Sequence, residues 1–350
     1  MSISKHLLVT GGAGFIGSNF ARYALQKGLT ITVLDKLTYA GRLESLADIT
    51  SHDNFSFLNV GIEDTDSITT YLQTLDGDRK ISAVLNFAAE THVDRSIDHP
   101  EVFFETNVLG TQRLISTLRQ NIGLQPDFRF LHISTDEVFG SVEDNAFDEE
   151  SHYRPNSPYS ASKAGADHLV RAAVNTYDFP AIITNCSNNF GPYQFPEKFI
   201  PTLIIKALRE QPIPIYGDGR QERDWLFVDD HCSALQLVLE TGQIGETYMV
   251  GTNAPQQNIV LAELICEILD ELLPLSVRTY RSFIEFVEDR PGHDRKYAVN
   301  AQKLATLGWA PSADLKNNLK KTVQWYIEHP YWWEGIIKDG FDLNRMGKIT

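Results

Sequence analysis

The stretch Gly11-Gly12-Ala13-Gly14-Phe15-Ile16-Gly17 directly follows the apolar run Leu7-Leu8-Val9-Thr10. Its three glycines at positions 11, 14 and 17 have the spacing of the turn that joins the first strand and first helix of a dinucleotide-binding fold. Without side chains, the backbone can approach a pyrophosphate, which the free N–H groups and dipole of a helix N-terminus attract. Glycines in such a turn can also serve packing alone, so the context has to decide.

Further strand-like runs follow this turn, separated by segments long enough for crossover helices; they cover 31–34, 55–58, 83–87, 130–133 and 181–184. Such alternation is typical of a parallel sheet covered by helices on both faces. After about residue 190 the pattern becomes irregular, with helices predicted over 197–210, 229–241, 261–272 and 313–328. We therefore predict an α/β fold, a Rossmann-type doubly wound parallel sheet with a smaller mixed α/β C-terminal substrate lobe.

The composition excludes several classes of function. The formal net charge is -15, from 31 Lys and Arg against 46 Asp and Glu, which argues against a nucleic-acid or anionic-membrane partner. The longest apolar runs are strand-length, and the N-terminus shows no secretory pattern. Cys186, Cys232 and Cys266 are scattered without metal spacing, so we expect no metal, buried thiols and a cytoplasmic protein.

Asp35 ends the second predicted strand, 18 residues after Gly17. A carboxylate at this point accepts hydrogen bonds from ribose hydroxyls and repels a 2′-phosphate, so the pattern favours NAD over NADP as the cofactor. Lys36 works against this preference, because an ammonium can neutralise a phosphate. A turn-initiating aspartate is the alternative interpretation of Asp35.

Two further segments carry chemistry, Ser134-Thr135-Asp136-Glu137 after the fifth strand and Tyr159-Ser160-Ala161-Ser162-Lys163 at the start of a predicted helix. Pro158 suits the first helical position, with Asn156 or Ser157 as the cap. Tyr159 and Lys163 are four residues apart and share a helical face. A free phenol has a pKa near 10, and we expect the ammonium and an oxidised nicotinamide to lower that pKa, making Tyr159 a base for oxidation of an alcohol.

The adjacent carboxyl groups add a second reaction. Once a sugar carries a ketone at C4, Glu137 can remove the C5 proton, and Asp136, kept protonated by burial and by its neighbour's charge, can protonate the departing C6 hydroxyl. Thr135 can hydrogen-bond the C4 oxygen. In isolation, two such acids are more often simply solvated, and a Tyr–Lys pair is often accidental. Together with the glycine turn, they predict an enzyme that uses NAD to dehydrate a sugar.

The whole pattern resembles the dTDP-glucose 4,6-dehydratases of the extended short-chain dehydrogenase/reductase superfamily. The resemblance covers nearly the entire chain and rests on Thr10–Ser18, Asp35–Gly41, Ala88–Ser96, Ser134–Gly140, Asn188–Tyr193, Pro196–Lys198, Arg223–Trp225 and Asp289–Asp294. It implies conversion of dTDP-glucose to dTDP-4-keto-6-deoxyglucose and water, with hydride taken from C4 and returned to C6, so that NAD is regenerated. It also implies a homodimer, for which segments 101–121 and 159–177 are candidates.

The resemblance implies the following site residues. The catalytic group would be Thr135, Asp136, Glu137, Tyr159 and Lys163. The cofactor would contact Gly11, Gly14, Phe15, Ile16, Gly17, Asp35, Lys36, Thr38, Gly41, Ile62, Ala88, Ala89, Thr106, Tyr159, Lys163 and Asn189. The substrate would contact Thr91, Thr135, Asn188, Lys198, Phe199, Pro214, Tyr216, Arg223, Asn258, Arg290 and His293. Residues 1–190 would form the NAD-binding domain, with returning elements around 225–250, and residues 191–350 the nucleotide-sugar-binding lobe.

Several positions depart from the family pattern. Gly61-Ile62 stands where an Asp-Ile pair is typical, which removes an expected carboxylate from the adenine edge. Thr91 replaces a serine, Asn300 stands where an aspartate is common, and Val250–Pro255 differs from the usual glycine-rich segment. These changes leave open a dehydratase of another nucleotide sugar such as UDP-glucose. A 4-epimerase and a non-catalytic NAD-binding protein are the remaining alternatives.

Overall fold

The computed structural model describes residues 6–122, 127–142, 146–289 and 295–341. The strands are β1 (His6–Thr10), β2 (Thr30–Leu34), β3 (Phe55–Leu58), β4 (Ala83–Asn86), β5 (Arg129–Thr135), β6 (Ala181–Cys186), β7 (Asn188–Phe190), β8 (Ile213–Tyr216), β9 (Glu222–Arg223), β10 (Trp225–Phe227), β11 (Thr247–Val250), β12 (Gln256–Gln257) and β13 (Ile284–Val287). The helices are α1 (Phe15–Gln26), α2 (Thr65–Gln73), α3 (Val93–Asp98), α4 (Pro100–Phe103), α5 (Thr111–Asn121), α6 (Pro158–Tyr177), α7 (Phe199–Leu208), α8 (Val228–Thr241), α9 (Asn258–Leu272), α10 (Gln302–Thr306), α11 (Leu315–Glu328) and α12 (Pro330–Lys338). A π-helical segment, Phe104–Gly110, joins α4 to α5.

The central sheet has the strand order β11-β6-β5-β4-β1-β2-β3, with every neighbouring pair parallel. The chain runs outward from β1 to β3 on one side and from β4 to β6 on the other. The direction of winding therefore reverses between β1 and β4, and ligands of such sheets bind beyond the carboxyl ends of the strands at that point. The predicted fold class is confirmed.

Alternating residues of β1 pack against opposite layers, as the two-residue period of a strand requires. Leu7 and Val9 belong to one apolar cluster together with Phe20 of α1 and Leu235 of α8. Leu8, on the other face, belongs to a cluster that contains Leu114 of α5 and Val170 of α6. Helices therefore cover both faces and hold the strand ends in fixed positions.

A separate apolar cluster forms the second lobe, centred on residues such as Ile204 of α7, Ile265 of α9 and Tyr326 of α11. Small two-stranded ladders, β8 with β13 and β9 with β12, complete that lobe. Helix α8 and strand β11 lie later in the chain than α7 but return to the main sheet. Among the described residues, no helix has both the length and the hydropathy needed to cross a membrane.

Candidate active site

A cleft opens at the carboxyl ends of the strands, beside the point where the winding reverses. All the residues assigned to the cofactor from the sequence line this cleft: Gly11, Gly14, Phe15, Ile16, Gly17, Asp35, Lys36, Thr38, Gly41, Ile62, Ala88, Ala89, Thr106, Tyr159, Lys163 and Asn189. They come from segments far apart in the chain, and the parallel sheet brings them to one edge.

The glycine turn lies tightly against the end of β4. Gly11 has a φ of +65°, and a Cβ built on it would lie 2.6 Å from the backbone nitrogen of Ala88. A Cβ on Gly17 would lie 2.5 Å from the carbonyl oxygen of Gly11. Gly14 caps α1 without a side-chain hydrogen bond, so the helix N-terminus faces the cleft with its backbone donors. This arrangement fits a pyrophosphate.

Asp35 is fixed in the wall of the cleft by two backbone donors. Its Oδ2 accepts from the Ala13 nitrogen at 2.9 Å and its Oδ1 from the Leu37 nitrogen at 2.8 Å. Burial raises the pKa of this carboxyl group, while these hydrogen bonds and the Lys36 charge oppose the rise. Each oxygen retains a second lone pair that can accept from a ribose hydroxyl. Asp35 thus organises the turn and still fits the cofactor.

The start of α6 sets the catalytic phenol and ammonium. Ser157, not Asn156, is the cap, and it forms a reciprocal capping box with Ser160, with Pro158 in the first turn. Tyr159 and Lys163 are both buried on the side of α6 that meets the cleft. The Lys163 ammonium donates to the carbonyl oxygen of Ile133 at 2.8 Å. Burial lowers the pKa of Lys163, and the charge of Asp167 opposes that change.

The protein's own groups act on the Tyr159 pKa in the direction opposite to the one expected from the ammonium of Lys163 together with an oxidised nicotinamide. Burial is the largest cause and raises the pKa of Tyr159 well above its ordinary value. The charge of Glu137 raises it further, and a hydrogen bond with Thr135 opposes the rise only in part. Lys163 donates to a backbone carbonyl, whereas the ionisable neighbours that add to the effect of burial are Glu137, Cys186 and Asp136. The protein's own groups therefore hold Tyr159 in its protonated form.

The two acids follow β5 in a short 3₁₀ turn, Asp136–Phe139. Thr135 Oγ1 accepts from the Glu137 nitrogen and donates to Asp136 Oδ1, both at 3.3 Å. Asp136 is 1% exposed, and burial, followed by the charges of Glu137 and Asp224, raises its pKa well above the ordinary range. Glu137 lines the cleft, whereas the neighbouring Asp136 is buried and is not among the described residues that line it. Asp136 is therefore not solvated, and its burial favours the neutral form of the carboxyl group.

Sequence reasoning missed a buried polar group beneath β5, centred on Asp167. Its Oδ2 accepts from Ser134 Oγ at 2.8 Å and from the Tyr153 hydroxyl at 2.9 Å, and its Oδ1 lies 3.3 Å from His132 Nε2. Burial acts to raise the pKa of Asp167, but these partners and the Lys163 charge lower it overall. The spacing of Lys163 and Asp167, four residues apart on one helix, was the available signal.

The residues assigned to the substrate divide into two groups. Thr91, Thr135, Asn188 and Lys198 line the cleft. Outside its wall, in the second lobe, lie Phe199, Pro214, Tyr216, Arg223 and Asn258. Arg290 and His293 fall outside the described residues.

Arg223 and Asn258 come together through the ladder of β9 and β12. Arg223 lies in β9, and Asn258 directly follows β12 at the start of α9. The Arg223 guanidinium lies over the ring of Tyr297, and its charge opposes the rise in the pKa of Asp136. Arg223 therefore acts electrostatically on Asp136 as well as belonging to the second lobe.

Comparison with known proteins agrees with this geometry. A family model described as GDP-mannose 4,6 dehydratase matches residues 8–322. A dTDP-glucose 4,6-dehydratase of Xanthomonas campestris pv. campestris (strain B100) is 50% identical over 97% of this chain and 98% of its own length. The crystal structure of DesIV, a dTDP-glucose 4,6-dehydratase from Streptomyces venezuelae with NAD bound, superposes with a TM-score of 0.85 at 40% identity, covering 95% of this chain and 99% of that one.

A UDP-glucose 4-epimerase from Thermotoga maritima also superposes, with a TM-score of 0.82, but at 26% identity over 92% of this chain and 99% of that one. The shared fold therefore extends to epimerases, whereas the higher identities are to dehydratases. The chain belongs to the nucleotide-sugar dehydratase family that the model matches and, within it, to the dTDP-glucose 4,6-dehydratases.

Proposed function

We propose that this chain is an NAD-dependent dTDP-glucose 4,6-dehydratase, a hydro-lyase that converts dTDP-glucose to dTDP-4-keto-6-deoxyglucose and water. The observation that carries the proposal is the buried Asp136 next to the cleft-lining Glu137, with burial raising the pKa of Asp136 and so favouring its protonated form. An alcohol dehydrogenase needs no such pair, whereas elimination of water needs both an acid and a base. The names and identities of the relatives support the same reaction.

In the oxidation step, Tyr159 accepts the proton of the C4 hydroxyl. Bound NAD supplies the hydride acceptor at C4 and, after the elimination, the hydride donor at C6. Because burial and, after it, the charge of Glu137 raise the pKa of Tyr159, its side chain becomes a phenolate, and so a base, only when positive charge lies close to it. The ammonium of Lys163 is already oriented by its hydrogen bond to the Ile133 carbonyl. From there it would keep Tyr159 and the nicotinamide ribose in place.

In the elimination step, Glu137 removes the C5 proton, which the C4 ketone has made acidic. Asp136 then donates its proton to the departing C6 hydroxyl, and Glu137 returns the proton to C5 when hydride adds at C6, so that protons and hydride balance. The charge of Arg223 favours the carboxylate that this donation leaves behind. Thr135, which bridges both acids through its hydroxyl and lies by the phenol, keeps the three groups on one sugar ring.

We assign the remaining residues to the two ends of the substrate. Asp35, Lys36, Thr38 and the glycine turn would hold the cofactor in a domain of residues 1–190, completed by β11 and α8. Thr91 and Asn188 would contact the sugar and its phosphates. Lys198, Arg223 and Asn258 would hold the diphosphate and nucleoside in the lobe of residues 191–350, because cationic side chains pair with phosphate oxygens.

Turnover of dTDP-, UDP-, GDP- and CDP-glucose, compared side by side by mass spectrometry, tests this proposal. We expect loss of one water, with dTDP-glucose turned over fastest. A faster reaction with another nucleotide would identify a different dehydratase. A product of unchanged mass with an inverted C4 would identify an epimerase. NAD binding without turnover of any sugar would identify a non-catalytic protein.

We also propose a homodimer, assembled through the segment of α4, the π-helical turn and α5, together with α6. Val102, Phe104 and Leu109 are 43–50% exposed on that segment, and Tyr177 at the end of α6 is 47% exposed. Large apolar side chains clustered on one surface mark interaction sites. Light scattering should give the mass of two chains, and charged substitutions at Phe104 and Leu109 should give the mass of one.

We place the protein in the cytoplasm, where its three buried free thiols stay reduced.

A further inference from the structure

The turn after β3 contains a carboxylate in an unusual position. A Cβ built on Gly61 would lie 2.5 Å from Cδ, Oε1 and Oε2 of Glu63, so the Glu63 carboxylate folds back over the glycine. The space that a side chain at position 61 would use is therefore filled by the carboxylate of residue 63. Only a glycine at position 61 leaves room for this conformation.

One oxygen of this carboxylate is paired and the other is not. Glu63 Oε1 lies 3.3 Å from the Lys36 ammonium, which also donates to Thr106 Oγ1 at 3.2 Å. Glu63 Oε2 is buried and accepts no hydrogen bond from the residues that the structure describes. A buried carboxylate oxygen without a donor is costly, so this atom calls for a partner from a ligand. Glu63 lines the same cleft as Asp35.

The position along the sheet identifies that ligand group. The glycine turn that fits a pyrophosphate follows β1, and Asp35, which fits the adjoining ribose, directly follows β2. Glu63 lies a few residues beyond the end of β3. A dinucleotide laid across these strand ends in that order brings its purine to the end of β3. There Val60 and Ile62 can make apolar contacts with the purine ring. The Glu63 carboxylate can accept a hydrogen bond from the ring edge but cannot donate one.

We propose that Glu63 selects the base of the cofactor by accepting a hydrogen bond from the 6-amino group of adenine. That amino group is a hydrogen-bond donor on the edge of the ring. A purine with a 6-carbonyl has an acceptor at the same place, so two acceptors would face each other and no hydrogen bond to the carboxylate could form. Lys36 holds the carboxylate in position through the other oxygen, Oε1. The inference rests on the proposed function, because it requires a bound dinucleotide.

Titration of the cofactor-free enzyme with NAD and with nicotinamide hypoxanthine dinucleotide, followed by calorimetry, tests this assignment. The wild type should bind NAD about 10-fold or more tightly than the analogue, the cost of one lost hydrogen bond to a charged group. In Glu63→Ala the ratio should fall close to one. In Glu63→Gln it should also fall, because an amide can both accept and donate. Glu44→Ala, which removes a carboxylate paired with Arg42 outside the cleft, should keep the wild-type ratio.

Moving the carboxylate gives a second test. Gly61→Asp alone should weaken NAD binding, because two carboxylates would then compete for one space. The double variant Gly61→Asp/Glu63→Ala should recover both NAD affinity and the preference over the hypoxanthine analogue. A wild-type ratio that survives Glu63→Ala, or a double variant without the preference, would overturn the assignment. A wild type that binds neither dinucleotide would instead overturn the proposed function.

Discussion

The two ends of the cleft hold their ionisable groups in different ways. At the inner end Asp136, Tyr159 and Lys163 are at most 7% exposed, and burial shifts each pKa towards the neutral form. At the outer end the side chains of Lys36 and Glu63 are 33% and 37% exposed and form an ion pair. Burial favours the neutral form of each group where protons are transferred, whereas the Lys36–Glu63 pair is partly open to water at the end where we propose recognition. Substitutions at the inner end should therefore have the larger effects.

The largest effect should come from Asp136→Asn, which keeps the neutral shape but removes the transferable proton. We expect kcat to fall by roughly 10²- to 10⁴-fold, the usual contribution of a general acid, with KM nearly unchanged. The variant should still exchange the C5 hydrogen of dTDP-glucose with solvent deuterium, because Glu137 remains. Glu137→Gln, the matched variant, should lose that exchange. A kcat for Asp136→Asn within a few-fold of wild type would show that another group protonates the leaving hydroxyl.

Much of the inner end of the cleft could be predicted from the sequence, because its residues are close neighbours along the chain. Thr135, Asp136 and Glu137 are adjacent at the end of β5, and Tyr159 and Lys163 share the first turns of α6, so local pattern was sufficient. The alternation of strands and helices likewise predicted the doubly wound sheet. The pKa of Tyr159 could not be predicted, because it depends on burial by several distant elements and on which partner the Lys163 ammonium selects.

The arrangement at the outer end could not be predicted either, because it also depends on contacts between distant segments. The sequence showed a missing carboxylate at Gly61 but not that Glu63 folds back into its place, since this depends on the turn geometry and on Lys36 and Thr106. The return of β11 to the main sheet is also a tertiary fact, although an element around 225–250 was expected there. Residues that are close in the chain can be assigned to a site from sequence motifs, whereas contacts between distant segments become known only from the three-dimensional structure.

The next largest effect should be loss of stability in Asp167→Asn. The substitution removes the negative charge that favours the charged form of the buried Lys163, and leaving a buried charge without compensation is expected to cost about 3 kcal/mol in free energy of unfolding. The pKa of Asp167 is lowered in the fold, so its contribution is present above the unfolded pKa and is lost as pH falls through the folded pKa.

Urea unfolding at pH 7 and at acid pH measures this contribution, which should be smaller at acid pH. Asp178→Asn is the control, because Asp178 is exposed at the end of the same helix with a φ of +52°, a conformation that asparagine accepts. Its free energy of unfolding should match that of the wild type. Equal stability of Asp167→Asn and Asp178→Asn would show that Lys163 does not depend on the carboxylate.

A smaller effect of opposite sign should come from Asp136→Asn at neutral pH. Since the pKa of Asp136 is raised in the fold, the carboxyl group destabilises the folded protein as pH rises from the unfolded pKa towards the folded pKa. Asparagine does not ionise, so the variant should gain about 1 kcal/mol at pH 7, a size common for the removal of a strained functional group. Below about pH 3.8, the ordinary value for this group, the gain should vanish. Thermal unfolding across pH measures it; an equal gain at all pH values would point to packing instead of ionisation.

The smallest expected effect lies at the outer end and concerns the choice between NAD and NADP. In Glu63→Ala the ammonium of Lys36 loses its carboxylate partner and becomes available to a 2′-phosphate, while Asp35 still repels that group. We expect the ratio of NADP to NAD affinity to rise only about 3-fold, since half-exposed charges interact weakly through water. Calorimetric titration at two salt concentrations should show that the gain disappears at the higher one. The double variant Lys36→Ala/Glu63→Ala should show no gain at either concentration; if the gain persisted there, the discrimination would reside in the shape of the turn and not in the ion pair.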